Sequence, residues 1–108
     1  MPRRVRCRRV GHIPEVKYFK PAGIPACDLE EITLKIEEAE ALRLKDFLGL
    51  DQEKCAEQMD VSRTTFQRIL VGARYKIADA IINSRAIVLE GGDYELVNSS
   101  NRHRWGNR

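Results

Sequence analysis

The sequence predicts a mainly α domain: a three-helix core with a helix-turn-helix, plus a small β element of N-terminal extended strands and a C-terminal hairpin. Three observations predict it. Apolar residues recur at three- and four-residue spacing in three successive stretches between Ile36 and Ile82. A break at Met59-Asp60-Val61 separates the second stretch from the third, and Ser62, a favoured N-cap residue, opens the third. Extended-type runs before Pro21 and on either side of Gly91-Gly92 frame the helices. A chain of 108 residues is one domain. Residues 1–97 are expected to form it, divided into a basic extended arm (1–27), a helical core (36–82) and a hairpin (86–97). The polar tail 98–108 is expected to be disordered.

Residues 1–10 alternate Val5, Cys7 and Val10 with arginines, which suits an arm or a strand with one charged face. Glu15 to Lys20 form a second extended stretch that Pro21 ends. The first long helix should run from Ile36 to Leu48, with Ile36, Ala39, Leu42, Leu44, Phe47 and Leu48 as its apolar stripe. Glu37 and Glu38 suit the positive end of its dipole, and with Glu40 they read as a solvated helix face. Gly49 suits the position just past its end. Asp51 should cap a short second helix, Gln52 to Met59, whose inner face is Cys55, Ala56 and Met59. Asp60 falls where the turn needs a positive φ, at a small local cost. The third helix begins at Ser62 and presents Phe66, Ile69, Leu70, Ala73, Ile77, Ala80 and Ile81 inward. Ala86 to Glu90 and Asp93 to Val97, separated by Gly91-Gly92, carry a hairpin signal.

Charge is segregated along the chain. Residues 1–27 hold seven bases and one acid, residues 28–60 four bases and eleven acids, and residues 61–85 five bases and one acid. Two basic stretches flanking an acidic one suggest a polyanion partner for the former. Cys7, Cys27 and Cys55 are odd in number and lack CxxC spacing, so no disulfide framework is implied. Together with His12 and His103 they match no zinc-ligand spacing, and no metal or other cofactor is expected. The Arg-rich start lacks the apolar core of a signal peptide, and no run is long enough to span a membrane. The cytoplasm is therefore the expected compartment. No Ser/His/Asp set and no glycine-rich phosphate loop is present, so the chain is not expected to be an enzyme.

The outer side of the third helix carries the functional expectation. Arg63, Thr64, Gln67 and Arg68 are the residue types that read base edges in the major groove. Ser62, Thr65, Arg74 and Lys76 suit phosphate contacts. Arg3, Arg4, Arg6, Arg8 and Arg9 form a possible arm along the backbone or into the minor groove; charged decoration of a strand edge would look the same.

Four stretches, VKYFKPAGIP, EEAEALRLKDFLGL, VSRTTFQRILVGARYKIADAI and the run ending in EGG, resemble uncharacterised protein family UPF0251. Its bacterial and archaeal members are described as probable DNA-binding proteins. The run VSRTTFQRIL with the basic segment after it is also similar to the fourth region of sigma factors. That resemblance implies that Ser62, Arg63, Thr64, Gln67 and Arg68 face the major groove. The chain departs from the family pattern at Asp60, where glycine is usual, and at Lys35, where a threonine cap is expected. Some relatives carry a further domain similar to nitrogenase iron–molybdenum cofactor biosynthesis proteins; the sequence ends before any such domain, so that link is not expected to transfer.

The expected function is thus sequence-specific binding of double-stranded DNA by a homodimer acting as a transcriptional regulator, with half-sites about 34 Å apart. The alternatives are a protein-interaction module that docks the transcription apparatus, and RNA binding through the arm.

Overall fold

The computed structural model describes residues 7–96. The chain passes through β1 (Arg8–Val10), β2 (Tyr18–Phe19), a 3-10 turn (Ala26–Asp28), β3 (Glu31–Leu34), α1 (Ile36–Leu42), α2 (Gln52–Met59), α3 (Arg63–Asn83), β4 (Ala86–Leu89) and β5 (Tyr94–Leu96). The result is mixed, with a helical core and small sheets, as the sequence predicts. The tail from residue 98, and Arg3, Arg4 and Arg6 of the arm, lie outside the described residues.

Local sequence sets the helix ends. Asp51 Oδ1 accepts the Lys54 N–H at 2.8 Å and caps α2. Ser62 Oγ accepts the Thr65 N–H at 3.0 Å and caps α3. Between them the chain turns in three residues, and Asp60 takes the left-handed conformation, φ 60 and ψ 47. Gly49 closes the preceding helix at φ 78. Lys35 supplies no side-chain cap to α1. Instead Glu38, three residues on, accepts the Lys35 N–H at 2.8 Å.

The first helix continues beyond Leu42 as a π-helical turn, Arg43–Phe47. Its signature is the Leu48 N–H donating to the Arg43 carbonyl five residues back, at 2.8 Å. Such a turn adds a residue to the local repeat and rotates the residues after it away from the α-helical phase. Leu44 stays buried, but Phe47 is 82% exposed and Leu48 is exposed too. The apolar stripe expected to run through Phe47 and Leu48 therefore stops at Leu44.

Two clusters make the core. Ala41, Leu44, Cys55, Ala56, Met59, Phe66, Ile69 and Leu70 pack α1, α2 and the first half of α3 together. Val10, Leu34, Ile36, Ala73 and Leu89 pack the strands against α1 and the middle of α3. Leu42 touches both clusters. Phe66 is fully buried, which contributes about 1.5–3 kcal/mol. Ile77 is half-buried, but Ile81, also expected inside, is 70% exposed.

The expected hairpin does not form. Strand β4 is the centre of a three-stranded sheet, antiparallel to β2 and parallel to β3. Strand β5 instead pairs with β1, in parallel, with Arg8 opposite Tyr94 and Val10 opposite Leu96. Both edges of β4 are already taken, so β5 has no edge of it to join. The Gly91-Gly92 turn is captured by α1: Ile36 N–H donates to the Gly91 carbonyl at 3.1 Å, and Asp93 N–H donates to Glu37 Oε1 at 2.7 Å. Gly92 has φ 105, and a Cβ there would lie 3.0 Å from that same Glu37 oxygen. N-terminal and C-terminal strands do pair, as the need of isolated strands for partners predicts. The parallel β3–β4 pairing takes all three helices as its crossover.

The three acids expected on a solvated face are buried. Glu40 is 2% exposed; its Oε2 accepts the Gly11 N–H at 3.0 Å, and Arg43 donates to both its oxygens at 2.7 and 2.9 Å. Glu38 accepts from Lys76 Nζ at 2.8 Å. Glu37 lies 4.0 Å from Arg8 Nε and holds Asp93. Each burial is compensated by charge or backbone N–H donors, which is what permits a carboxylate inside.

Candidate nucleic-acid interface

The residues predicted to read bases come together. Ser62 fixes the start of α3, and the three-residue turn holds that end of the helix against α2 through Ala56, Met59 and Phe66. With that side buried, Arg63, Thr64, Gln67 and Arg68 point the other way, and all four are exposed. They line one open groove of about 680 Å³, together with Gln52 of α2 and Val71. A second hollow of about 480 Å³, lined by His12, Pro14, Ala39, Leu42, Arg43, Asp46 and Phe47, takes none of them.

The groove is cationic at two points. Arg63 and Arg68 take part in no ion pair among the described residues. The start of α3 adds the partial positive charge of its dipole. Ser62 Oγ donates to Thr65 Oγ1 at 3.0 Å, so both hydroxyls sit at this end of the helix. Backbone N–H groups at such an end favour phosphate oxygens.

Arg74 and Lys76, predicted as phosphate contacts, are engaged elsewhere. Arg74 grips Asp46 with two hydrogen bonds, 3.1 and 2.6 Å. Hydrogen bonding from Arg74 lowers the Asp46 carboxyl below its ordinary range, and the same bond raises the Arg74 guanidinium. Lys76 Nζ donates to Glu38 and to the Thr33 carbonyl, at 2.8 and 2.9 Å. Both bases therefore hold α3 to the rest of the domain. Their acidic partners lie 28 and 38 residues away, so no local pattern marks the pairing.

Of the arm, Arg9 is exposed on β1, while Arg8 is half-buried and its N–H donates to the Asp93 carbonyl at 3.0 Å. Cys7 and Cys27 are exposed and Cys55 is buried. Burial pushes the Cys55 thiol up. No group of three or more His, Cys, Asp or Glu is placed to hold a metal among the described residues. Nor is any described helix long and apolar enough to cross a membrane.

Gln52 is a groove residue that sequence patterning does not reveal. Its Nε2 donates to Gln67 Oε1 across the two helices. The available signal was its place in the first turn of α2, beside the start of α3 in a tight helix pair.

The chain matches, over residues 1–97, the family described as a protein of unknown function, DUF134. It is 60% identical over 102 residues to a UPF0251 protein of Halothermothrix orenii, covering 94% of this chain and 76% of that one. A UPF0251 protein of Dehalococcoides mccartyi is 59% identical over 96 residues, 89% of this chain and 82% of its own. One of Thermoanaerobacter pseudethanolicus is 51% identical over 108 residues, 100% of this chain and 92% of its own. No solved structure matches the chain.

Proposed function

We propose that the chain, which belongs to the UPF0251 family, binds double-stranded DNA sequence-specifically and acts in the cytoplasm as a transcriptional regulator. On this reading α2, the turn at Asp60 and α3 are a helix-turn-helix, and α3 enters the major groove with its N-terminal half. One observation carries it: Arg63, Thr64, Gln67 and Arg68 share a single exposed groove at the capped start of α3. Two of the four are cations without an ion-pair partner among the described residues. The four can meet base edges while Ser62, Thr65 and the helix start meet the phosphates.

The second half of α3 supports the homodimer in this proposal. Val71, Tyr75, Ala78 and Ile82 succeed one another at spacings of four, three and four, the repeat of a coiled-coil seam. Tyr75 is 70% and Ile82 77% exposed. We assign a second copy of the chain to this seam, which gives the assembly two reading helices.

Random-oligonucleotide selection with the purified protein tests the reading. Enrichment of one sequence is expected, with affinity that falls steeply as salt rises. Arg63→Ala with Arg68→Ala should abolish the preference while the protein stays folded. Unchanged binding by that variant would remove the base-contact assignment. Salt-insensitive binding of another protein, with no affinity for duplex DNA, would favour the docking-module reading instead. Sedimentation of a Tyr75→Glu, Ile82→Glu variant tests the seam, and a dimer that persists in it would refute the assignment.

A further inference from the structure

We infer that Gln52 is a positioning residue that sets which base Gln67 recognises. The inference rests on the DNA-reading proposal and goes beyond it, because it assigns a polarity to one contact. A glutamine carboxamide offers an acceptor on one side and two donors on the other, and which side faces a base decides what it can read. In this structure Gln67 Oε1 is turned towards α2, where it accepts from Gln52 Nε2. With that oxygen engaged, the amide N–H groups are what Gln67 has left to offer a ligand in the groove it lines with Arg63, Thr64 and Arg68. An outward donor matches acceptors on base edges: purine N7, guanine O6 or thymine O4. It does not match cytosine, whose major-groove edge offers only the N4 donor.

Gln52 is suited to this role by its place. It is the first residue of α2, directly after the Asp51 cap, so its backbone is fixed. It is half-buried, whereas Gln67 is exposed. The less exposed side chain thus presents its donor, from a fixed backbone position, to the one that reaches outward. Without that restraint the Gln67 carboxamide can rotate by half a turn and read either kind of edge.

The test is oligonucleotide selection with the full chain and four variants, each checked for folding by circular dichroism. Gln67→Ala locates the base position that Gln67 reads, as the position whose preference flattens. At that position the unaltered chain should disfavour cytosine by on the order of tenfold against an acceptor-bearing base. Gln52→Lys still donates to Gln67 Oε1, so its profile should match that of the unaltered chain. Gln52→Glu can only accept, which turns the Gln67 carbonyl outward and should shift preference at that position towards cytosine by a similar factor. Gln52→Ala should broaden it. The added charges change affinity for any duplex, so only relative preference at the one position is read. If the unaltered chain is sequence-specific and all three Gln52 variants keep its preference, the positioning role is overturned while DNA reading stands. If the unaltered chain enriches no sequence, both fall.

Discussion

Replacing Glu40 by alanine tests whether the buried acids of α1 hold the domain together. Glu40 is 2% exposed and accepts three hydrogen bonds, one from the Gly11 N–H and two from Arg43. Its loss strands a backbone N–H in a buried residue, worth about 1–3 kcal/mol. It also removes the Glu40 carboxylate from Arg43, whose side chain is only 20% exposed. Breaking a buried pair from one side costs about 3–5 kcal/mol. Arg43 lies one helical turn away and can swing towards water, so the lower end, about 3 kcal/mol, is expected. For a domain of this size that lowers the melting temperature by about 12–24 °C. Urea unfolding monitored by the helical circular dichroism signal measures it, with the slope against urea unchanged. Glu40→Gln keeps an acceptor and should lose less. Adding Arg43→Leu to Glu40→Ala should recover part of the loss, because the largely buried cation that lost the Glu40 carboxylate is removed with it. A Glu40→Ala protein within about 1 kcal/mol of the parent, the low end for a stranded N–H, or a double variant that recovers nothing, would refute the reasoning.

Three other sites each carry a testable outcome. Asp46 is held below its ordinary range by Arg74, so the folded state binds fewer protons there than the unfolded one. That stability is present above the unfolded carboxylate value and is lost as pH falls through the folded one; Arg74→Met should flatten the acid limb of the stability profile, and an unchanged limb would contradict the pairing. Cys7 and Cys27 should react quickly with a thiol reagent and Cys55 only on unfolding, so three fast-reacting thiols in the native protein would contradict the packing around Cys55. Gly72→Ala should stabilise α3 by about 0.5–1 kcal/mol, because the new Cβ meets only Glu38 Oε2, at 3.4 Å; destabilisation in urea would show that this approach of α3 to α1 tolerates no methyl group.

What could be read from the sequence was what local chemistry decides. Asp51 and Ser62 each accept the N–H three residues ahead, and Asp60 and Gly49 take the positive φ that a turn or helix end needs. The grouping of Arg63, Thr64, Gln67 and Arg68 was equally legible, since residues on one helical face stay together wherever the helix goes. The misses are non-local or depend on phase. Strand β4 carries a hairpin sequence, but β2 and β3 occupy both its edges in the fold. Phe47 and Leu48 fit an α-helical stripe that a π-helical turn rotates out of register. Glu37, Glu38 and Glu40 look solvated because their partners, Asp93, Lys76 and Gly11, lie 56, 38 and 29 residues away.

Those pairings also change what the segregated charge means. An acidic middle between two basic stretches suggested a polyanion for every basic residue of α3. The fold instead matches much of that charge internally: Arg74 to Asp46, Lys76 to Glu38, and Arg85, just past the helix, to Asp79 and Glu30. Glu30, Glu38 and Asp46 of the acidic middle are thus folding partners of the basic stretch. What it leaves over is selective. Of the α3 cations, Arg63 and Arg68 alone enter no ion pair among the described residues, and both lie in the groove at the helix start. A helix that was basic only for solubility would scatter its uncompensated charge along the exposed face. Here it is confined to the first two turns, beside the N–H groups that face outward there, while the same face further along turns apolar at Val71, Tyr75 and Ile82. Neutralising Arg74 or Lys76 should therefore weaken the fold, and neutralising Arg63 or Arg68 should weaken the proposed DNA binding while leaving the fold intact.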